Sequence, residues 1–258
     1  IDFKDPFEPV FAFPGISIKA EFEGTSIGAE LEEYGQGGRT TTNYFNVIID
    51  GHIHTVLALD RTKVSYVLAT GLSDGEHTIE LFKRTEASVG TVAFKGFVLD
   101  DGKSLVQPDE LPARKIEFIG NSITCGYGNE SSNNTPAVGF TSANENNYEA
   151  WGAVTARALD AQYVCTAYSG RGLARNNTGS TVGTAPKFYN RILPDKSSSD
   201  WNHQDYVPHV VVINLGTNDF SAEISNSSYT VDKIKFQNQY TEFVSSLRLH
   251  YPGATIIC

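Results

Sequence analysis

The sequence has no methionine and only three cysteines, Cys125, Cys165 and Cys258, with no Cys-x-x-Cys spacing. So few cysteines cannot form a disulfide framework or a thiolate metal site of the zinc-ribbon kind. No run approaches the ~18 consecutive apolar residues a transmembrane helix needs. There is no signal peptide, and the chain opens on Ile1, so any targeting segment is expected to have been removed already. Positive charge is also scarce. Lys and Arg number 20 against 30 Asp and Glu, for a net charge of −10 and a pI near 5.0. That balance excludes a general binder of nucleic acid or anionic membranes and disfavours strongly acidic polymers, while leaving neutral substrates unaffected. No G-x-G-x-x-G, P-loop or H-E-x-x-H occurs, so nucleotide binding and a zincin site have no support.

The 258 residues are 40% hydrophobic and 19% charged, enough for one large domain or two ordinary ones with real cores. Residues 1 to about 105 read as all-β. Ile16, Ile18, Ala20 and Phe22 alternate with polar residues, and Val47-Ile48-Ile49 runs through Asp50-Gly51 into His54–Leu57, a strong hairpin signal. Further strands are expected over 64–70, 78–83 and 91–99, punctuated by Gly71, Asp74-Gly75 and Gly90. Many short strands with tight turns suggest a jelly-roll-like β-sandwich. Residues 106–114, polar and proline-bearing, read as a linker. From Lys115 the period changes: apolar strands at 115–119, 162–167, 210–215 and 254–258 alternate with helical patterns at 148–159 and 232–250. This is the signature of a parallel sheet covered on both faces, an α/β domain over 115–258. In helix 148–159 the expected apolar face is Trp151, Val154, Ala158 and Leu159. The chain stops on an apolar strand, so it is expected to be a piece of a longer protein.

Three strand ends carry chemistry. Ile116–Ile119 ends at Gly120-Asn121-Ser122, which lifts a hydroxyl beside the unpaired N–H groups of a helix start. Strand 162–167 runs into Tyr168-Ser169-Gly170-Arg171-Gly172, and strand 210–215 into Gly216-Thr217-Asn218-Asp219. Acyl transfer needs a nucleophile, a base, and donors aimed at the developing oxyanion. Ser122 supplies the hydroxyl and one N–H, Gly170 a second backbone N–H, and Asn218 a side-chain amide. Singly, each has an ordinary reading as a helix cap or turn former. Together, each at the carboxyl end of a strand, they point to a site where open α/β sheets bind ligands.

These blocks resemble the SGNH (GDSL-type) hydrolases, with Ser, Gly and Asn in the family's order. Ile-Gly-Asn-Ser-Ile-Thr-Cys-Gly-Tyr-Gly at 119–128, the Tyr168–Gly172 block and Gly-Thr-Asn-Asp at 216–219 look most like carbohydrate esterase family two, acetyl esterases of plant polysaccharides that carry a jelly-roll domain ahead of the hydrolase domain. The resemblance implies a three-layer α/β domain, a serine esterase of the acetyl xylan esterase type acting through an acetyl-enzyme, no metal or organic cofactor, and a secreted, cell-surface or periplasmic location. It also implies an Asp-x-x-His block after the last strand, which the sequence lacks, so the catalytic His is expected beyond residue 258. Asn121 stands where the family usually has Asp, which implies tuning rather than loss of activity.

Other candidates rank lower. Asp200-Trp201-Asn202-His203 matches Asp-x-x-His but precedes the Asn218 block, leaving His203 a weak candidate base. Gly24-Thr25-Ser26-Ile27-Gly28 matches a nucleophile elbow but sits among alternating β residues. Cys165 reads as a buried structural thiol, and Cys125 lacks a neighbouring base. Trp201, Tyr189 and Tyr127 are candidate platforms for sugar rings at the site edge, while Trp151 reads as core. Sequons occur at Asn129, Asn133, Asn176 and Asn226. Two other functions fit the same residues: an SGNH hydrolase of a lipid or thioester, and a non-catalytic carbohydrate-binding protein. The loops at 128–147 and 170–183, rich in Asn, Ser, Thr and Gly, favour small, polar substrates.

Overall fold

The computed structural model describes residues 1–35, 42–131, 140–225 and 233–258, with side chains omitted for 222–225. Asn133 and Asn226 therefore lie outside the described residues.

The first half is a 7-stranded antiparallel sheet: β1 (Val10–Phe11), β2 (Ser17–Gly35), β3 (Tyr44–Ile49), β4 (His52–Ala58), β5 (Ser65–Lys83), β6 (Gly90–Leu99) and β7 (Leu105–Val106). Its order is β1-β6-β2-β5-β3-β4, with β7 on β2. The Asp50-Gly51 hairpin forms as expected, with both residues at positive φ (50° and 76°). The separate strands expected at 64–70 and 78–83 are instead one strand of 19 residues, β5. Gly71 and Gly75 do not end it because β2 runs alongside and pairs with both halves, shifting register between Gly24 and Ser26. That bulge bends both strands. It also accounts for the Gly24–Gly28 match, which lies inside β2. The bend folds the sheet over on itself: Phe11 of β1 and Phe45 of β3, from distant parts of the strand order, meet edge to face with centroids 6.3 Å apart. Phe22, Leu31, Leu81 and Val92 fill the same core.

The second half is a parallel sheet of order β11-β10-β8-β9, built from β8 (Arg114–Gly120), β9 (Ala161–Ala167), β10 (Val210–Asn214) and β11 (Thr255–Ile257). The chain turns to opposite sides after β8, first to β9 and later to β10, which makes the carboxyl end of β8 the topological switch point. Helices α1 (Ser122–Cys125), α2 (Trp151–Ala158), α3 (Ala185–Phe188), α4 (Thr217–Ser225) and α5 (Lys233–His250) surround it. Along α5, Phe243 and Leu247 are buried against Ile119, Val211 and Ile213. On α2 the buried face is Gly152, Ala153 and Ala156; Val154 and Leu159 are exposed, contrary to the expected stripe. The helix sits so close to the sheet that a Cβ on Gly152 would lie 2.9 Å from the Phe118 ring. Only small side chains fit there. Trp151 packs at the flank, edge to face with Phe118.

The two halves share buried surface. Phe82 of β5 meets Tyr148 and Tyr163, with ring centroids at 5.0 and 6.2 Å. Ala12, Phe13 and Ala87 pack with Tyr168, Phe188 and Leu193. Among the described residues no helix is long and apolar enough to cross a membrane.

Candidate active site

Register places the three strand ends side by side. Gly120 pairs with Ala167 on one flank and Asn214 on the other, so Ser122, Gly170 and Asn218 emerge two, three and four residues past one aligned row. The turn into α1 is tight because β8 ends in glycine: a Cβ on Gly120 would fall 2.0 Å from Thr124 Oγ1. Asn121 caps the turn, its Oδ1 accepting from Ile123 N at 3.2 Å, the capping service an Asp would also render. Ser122 follows, half-buried. Neither its Oγ and N–H nor the Gly170 N–H bonds to another described residue. Gly170 has φ +76°, a conformation that favours glycine. Asn218, buried on the first turn of α4, donates one amide hydrogen to the Arg171 carbonyl at 2.7 Å; an Asn amide has a second to give. The edge thus offers a hydroxyl and three N–H donors.

The loop that carries Gly170 is held by Asp219, the neighbour of Asn218. Asp219, fully buried, accepts from the backbone N–H of Leu173, Ala174 and Arg175 at 2.9, 2.7 and 2.9 Å. It caps the loop opposite rather than its own helix. Asn176 closes the same loop, accepting from Gly172 N at 3.2 Å and donating to the Val182 carbonyl at 2.8 Å. Buried in this way, its sequon is closed to modification. Adjacency of Asp219 to Asn218 was the one available sequence signal for this role.

The remaining candidates separate. His203 is buried, with Nδ1 3.0 Å from the Tyr251 hydroxyl and Nε2 2.9 Å from Asn190 Oδ1, and its ring stacks on His250 at 3.8 Å. Burial and the His250 ring beside it push its pKa down to about 4. None of these partners is Ser122, Gly170 or Asn218. Tyr189, expected as a loop-edge aromatic, is instead core: it packs with Ile119, Val211 and Phe243 and donates its hydroxyl to Glu117 Oε2 at 2.9 Å. Glu117, on β8 and buried, also accepts from Thr166 Oγ1 at 2.8 Å, and burial pushes its carboxyl up to about 7 against both donors. Trp201 stands edge to face with His203 and lines a cavity of about 770 Å³ along the free edge of β9, to which Ser122, Gly170 and Asn218 do not contribute. Tyr127 alone lies beside the nucleophile turn. Its backbone N–H bonds Ser122 O at 3.0 Å, and its half-exposed ring stacks on Phe140 at 4.1 Å. Cys125 and Cys165 are free and buried, which raises both thiols; neither is a nucleophile in that state.

Known proteins share this arrangement. Residues 1–108 match the carbohydrate esterase 2 N-terminal family, and residues 118–258 the GDSL-like lipase/acylhydrolase family. The chain is 41% identical over 257 residues to the cellulase/esterase CelE of Acetivibrio thermocellus, across 100% of its own length and 30% of that protein. An acetylxylan esterase / glucomannan deacetylase of Cellvibrio japonicus is 33% identical over 249 residues, across 96% of this chain and 65% of that one. The chain therefore spans less than two thirds of these curated relatives. Among solved structures, a family two carbohydrate esterase from Clostridium thermocellum in complex with cellohexaose matches with a TM-score of 0.89 and 39% identity, over 99% of this chain and 74% of that one. Matched domain by domain along its length, the chain belongs to family two of the carbohydrate esterases, within the GDSL-like lipase/acylhydrolase family.

Proposed function

We propose that the chain carries the nucleophile and oxyanion donors of a serine esterase that removes O-acetyl groups from plant-type polysaccharides or oligosaccharides such as xylan and glucomannan. The observation that carries this reading is the convergence of Ser122, Gly170 and Asn218 on one strand edge. Ser122 Oγ attacks the acetyl carbonyl while a base takes its proton. The tetrahedral oxyanion is held by the N–H groups of Ser122 and Gly170 and the free amide hydrogen of Asn218. Collapse breaks the bond to the sugar oxygen, which takes the proton back from the base and leaves as a hydroxyl, and acetyl-Ser122 remains for water to hydrolyse by the same route. The family resemblance implies that the base is a His outside these 258 residues; His203 has both ring nitrogens engaged elsewhere. No cofactor is required by this chemistry. The stacked pair Tyr127–Phe140 supports a platform for the C–H face of a sugar ring beside the nucleophile. A polymeric substrate outside the cell would call for a secreted, cell-surface or periplasmic setting.

The test uses the full natural polypeptide. Acetate release from acetylated xylan and glucomannan, and from short- and long-chain model esters, is expected to favour acetyl over long acyl groups and to vanish in Ser122→Ala. Preference for long acyl chains would instead indicate a lipid-type substrate. Retained sugar binding without acetate release in the wild type would indicate a binding role.

A further inference from the structure

The connection from β5 to β6 is a loop by geometry, yet every residue from Lys83 to Gly90 is buried. Loops with this many polar groups ordinarily lie on the surface. This one is pressed into the second domain, directly behind the nucleophile turn. Glu86, 1% exposed, reaches two parts of the site at once. Its Oε2 accepts from the backbone N–H of Ser169 at 2.8 Å and from Cys125 Sγ at 3.8 Å. Ser169 immediately precedes Gly170, and Cys125 closes α1 three residues after Ser122. The backbone N–H of Glu86 in turn bonds Glu145 Oε2 at 2.9 Å, and the Arg84 carbonyl accepts from Asn147 N at 3.0 Å. Asn147 then donates to the Thr124 and Cys125 carbonyls at 2.9 and 3.2 Å. Two cations sit in this knot: Lys83, fully buried, whose ammonium donates to the carbonyls of Ala12 and Thr85 at 2.9 and 2.6 Å, and Arg84, also buried, whose Nε donates to the Glu145 carbonyl at 3.4 Å.

We propose that Glu86, a residue of the β-sandwich, is a positioning residue for the oxyanion donor at Gly170. Its carboxyl group fixes the Ser169 peptide on the upstream side of Gly170 as Asp219 fixes Leu173 to Arg175 on the downstream side. The sandwich is then part of the catalytic apparatus through a residue that positions a donor. The inference rests on the esterase reading, since it concerns a donor used only in the transition state.

The experiment compares Glu86→Met and Glu86→Gln in the full natural polypeptide. Methionine fills the space without an acceptor; glutamine keeps one carbonyl oxygen for Ser169. Glu86→Met is expected to lower kcat by about 10- to 100-fold with KM within about twofold, because a misplaced donor costs transition-state rather than ground-state binding. Glu86→Gln is expected to stay within about threefold of wild type in both constants. Wild-type kcat in a folded Glu86→Met protein would overturn the proposal, as would a glutamine variant that falls as far as the methionine one. Hydrogen exchange of the wild-type protein supplies a check that needs no variant: the Ser169 amide is expected to be protected, and exchange as fast as in an open loop overturns the assignment. Ser122→Ala in the same assay separates the two readings. If it retains acetate release, the esterase reading fails; if it is dead while Glu86→Met is unimpaired, only the positioning role of Glu86 fails.

Discussion

Asn218 has little to spare: one amide hydrogen is committed to the Arg171 carbonyl, and the other is what remains for an oxyanion. Asn218→Ala is therefore expected to reduce kcat by about 10²- to 10³-fold with a modest change in stability, as steady-state kinetics and thermal melts would show. Its neighbour behaves differently. Asp219→Ala strands three N–H donors, two of them buried, and each buried one costs about 1–3 kcal/mol, so activity and melting temperature are expected to fall together. A carboxylate that accepts from an opposite loop is written in the sequence only as the residue after Asn218, which is why the candidate site residues could be named from the sequence and their support could not. Tyr189 failed for a related reason. An aromatic in a polar stretch looks exposed until the fold shows a buried carboxyl waiting for its hydroxyl. That carboxyl, Glu117, also has a measurable consequence. A carboxyl whose native pKa is about 7 rather than 4.5 costs the fold nothing at low pH and on the order of 3 kcal/mol once pH rises through 7. His203, pushed down to about 4, acts in the opposite sense below 6.5. Glu117→Gln is expected to gain melting temperature relative to wild type as pH rises from about 4.5 to about 7, where the gain levels off; parallel curves would contradict the assignment.

At the scale of elements, hydrophobic periodicity located the four strands of the parallel domain and two of its described helices, α2 and α5, because apolar runs there are continuous and glycine or proline ends them; α1 and α3, of 4 residues each, carry too few turns to show a period. It misjudged which face of α2 is buried. The contact is made by Gly152, Ala153 and Ala156, which hydrophobicity weighs lightly, while Val154 and Leu159 remain outside. Close approach, not apolar area, decides that packing. Ala156→Leu is accordingly expected to destabilise the protein by about 1–3 kcal/mol through overpacking against Phe118 and Ile116, whereas Val154→Ser should change stability by less than about 0.5 kcal/mol. Denaturant titration distinguishes the two. The single long strand β5 was read as two for a similar reason: glycines mark bends as readily as ends, and only the pairing with β2 tells which.

For the whole molecule, the order of a sandwich before an α/β domain was readable from the change of period near Lys115, but their interdependence was not. Contacts such as Phe82 with Tyr148 and Tyr163, or Glu86 with Ser169, join residues far apart in sequence and leave no local pattern. Shared cores of this kind couple unfolding, so calorimetry is expected to show one transition, with Phe82→Ala lowering it by about 3–5 kcal/mol; two separate transitions would show the halves to be independent. The central claim concerns Ser122. Acid-quenching the full natural polypeptide during turnover of acetylated glucomannan, followed by peptide mapping, reads the covalent intermediate directly. An acetyl group on the peptide carrying Ser122, absent in Ser122→Ala, is the predicted result. Rapid acetate release with that serine unmodified throughout, or undiminished in the alanine variant, would contradict it.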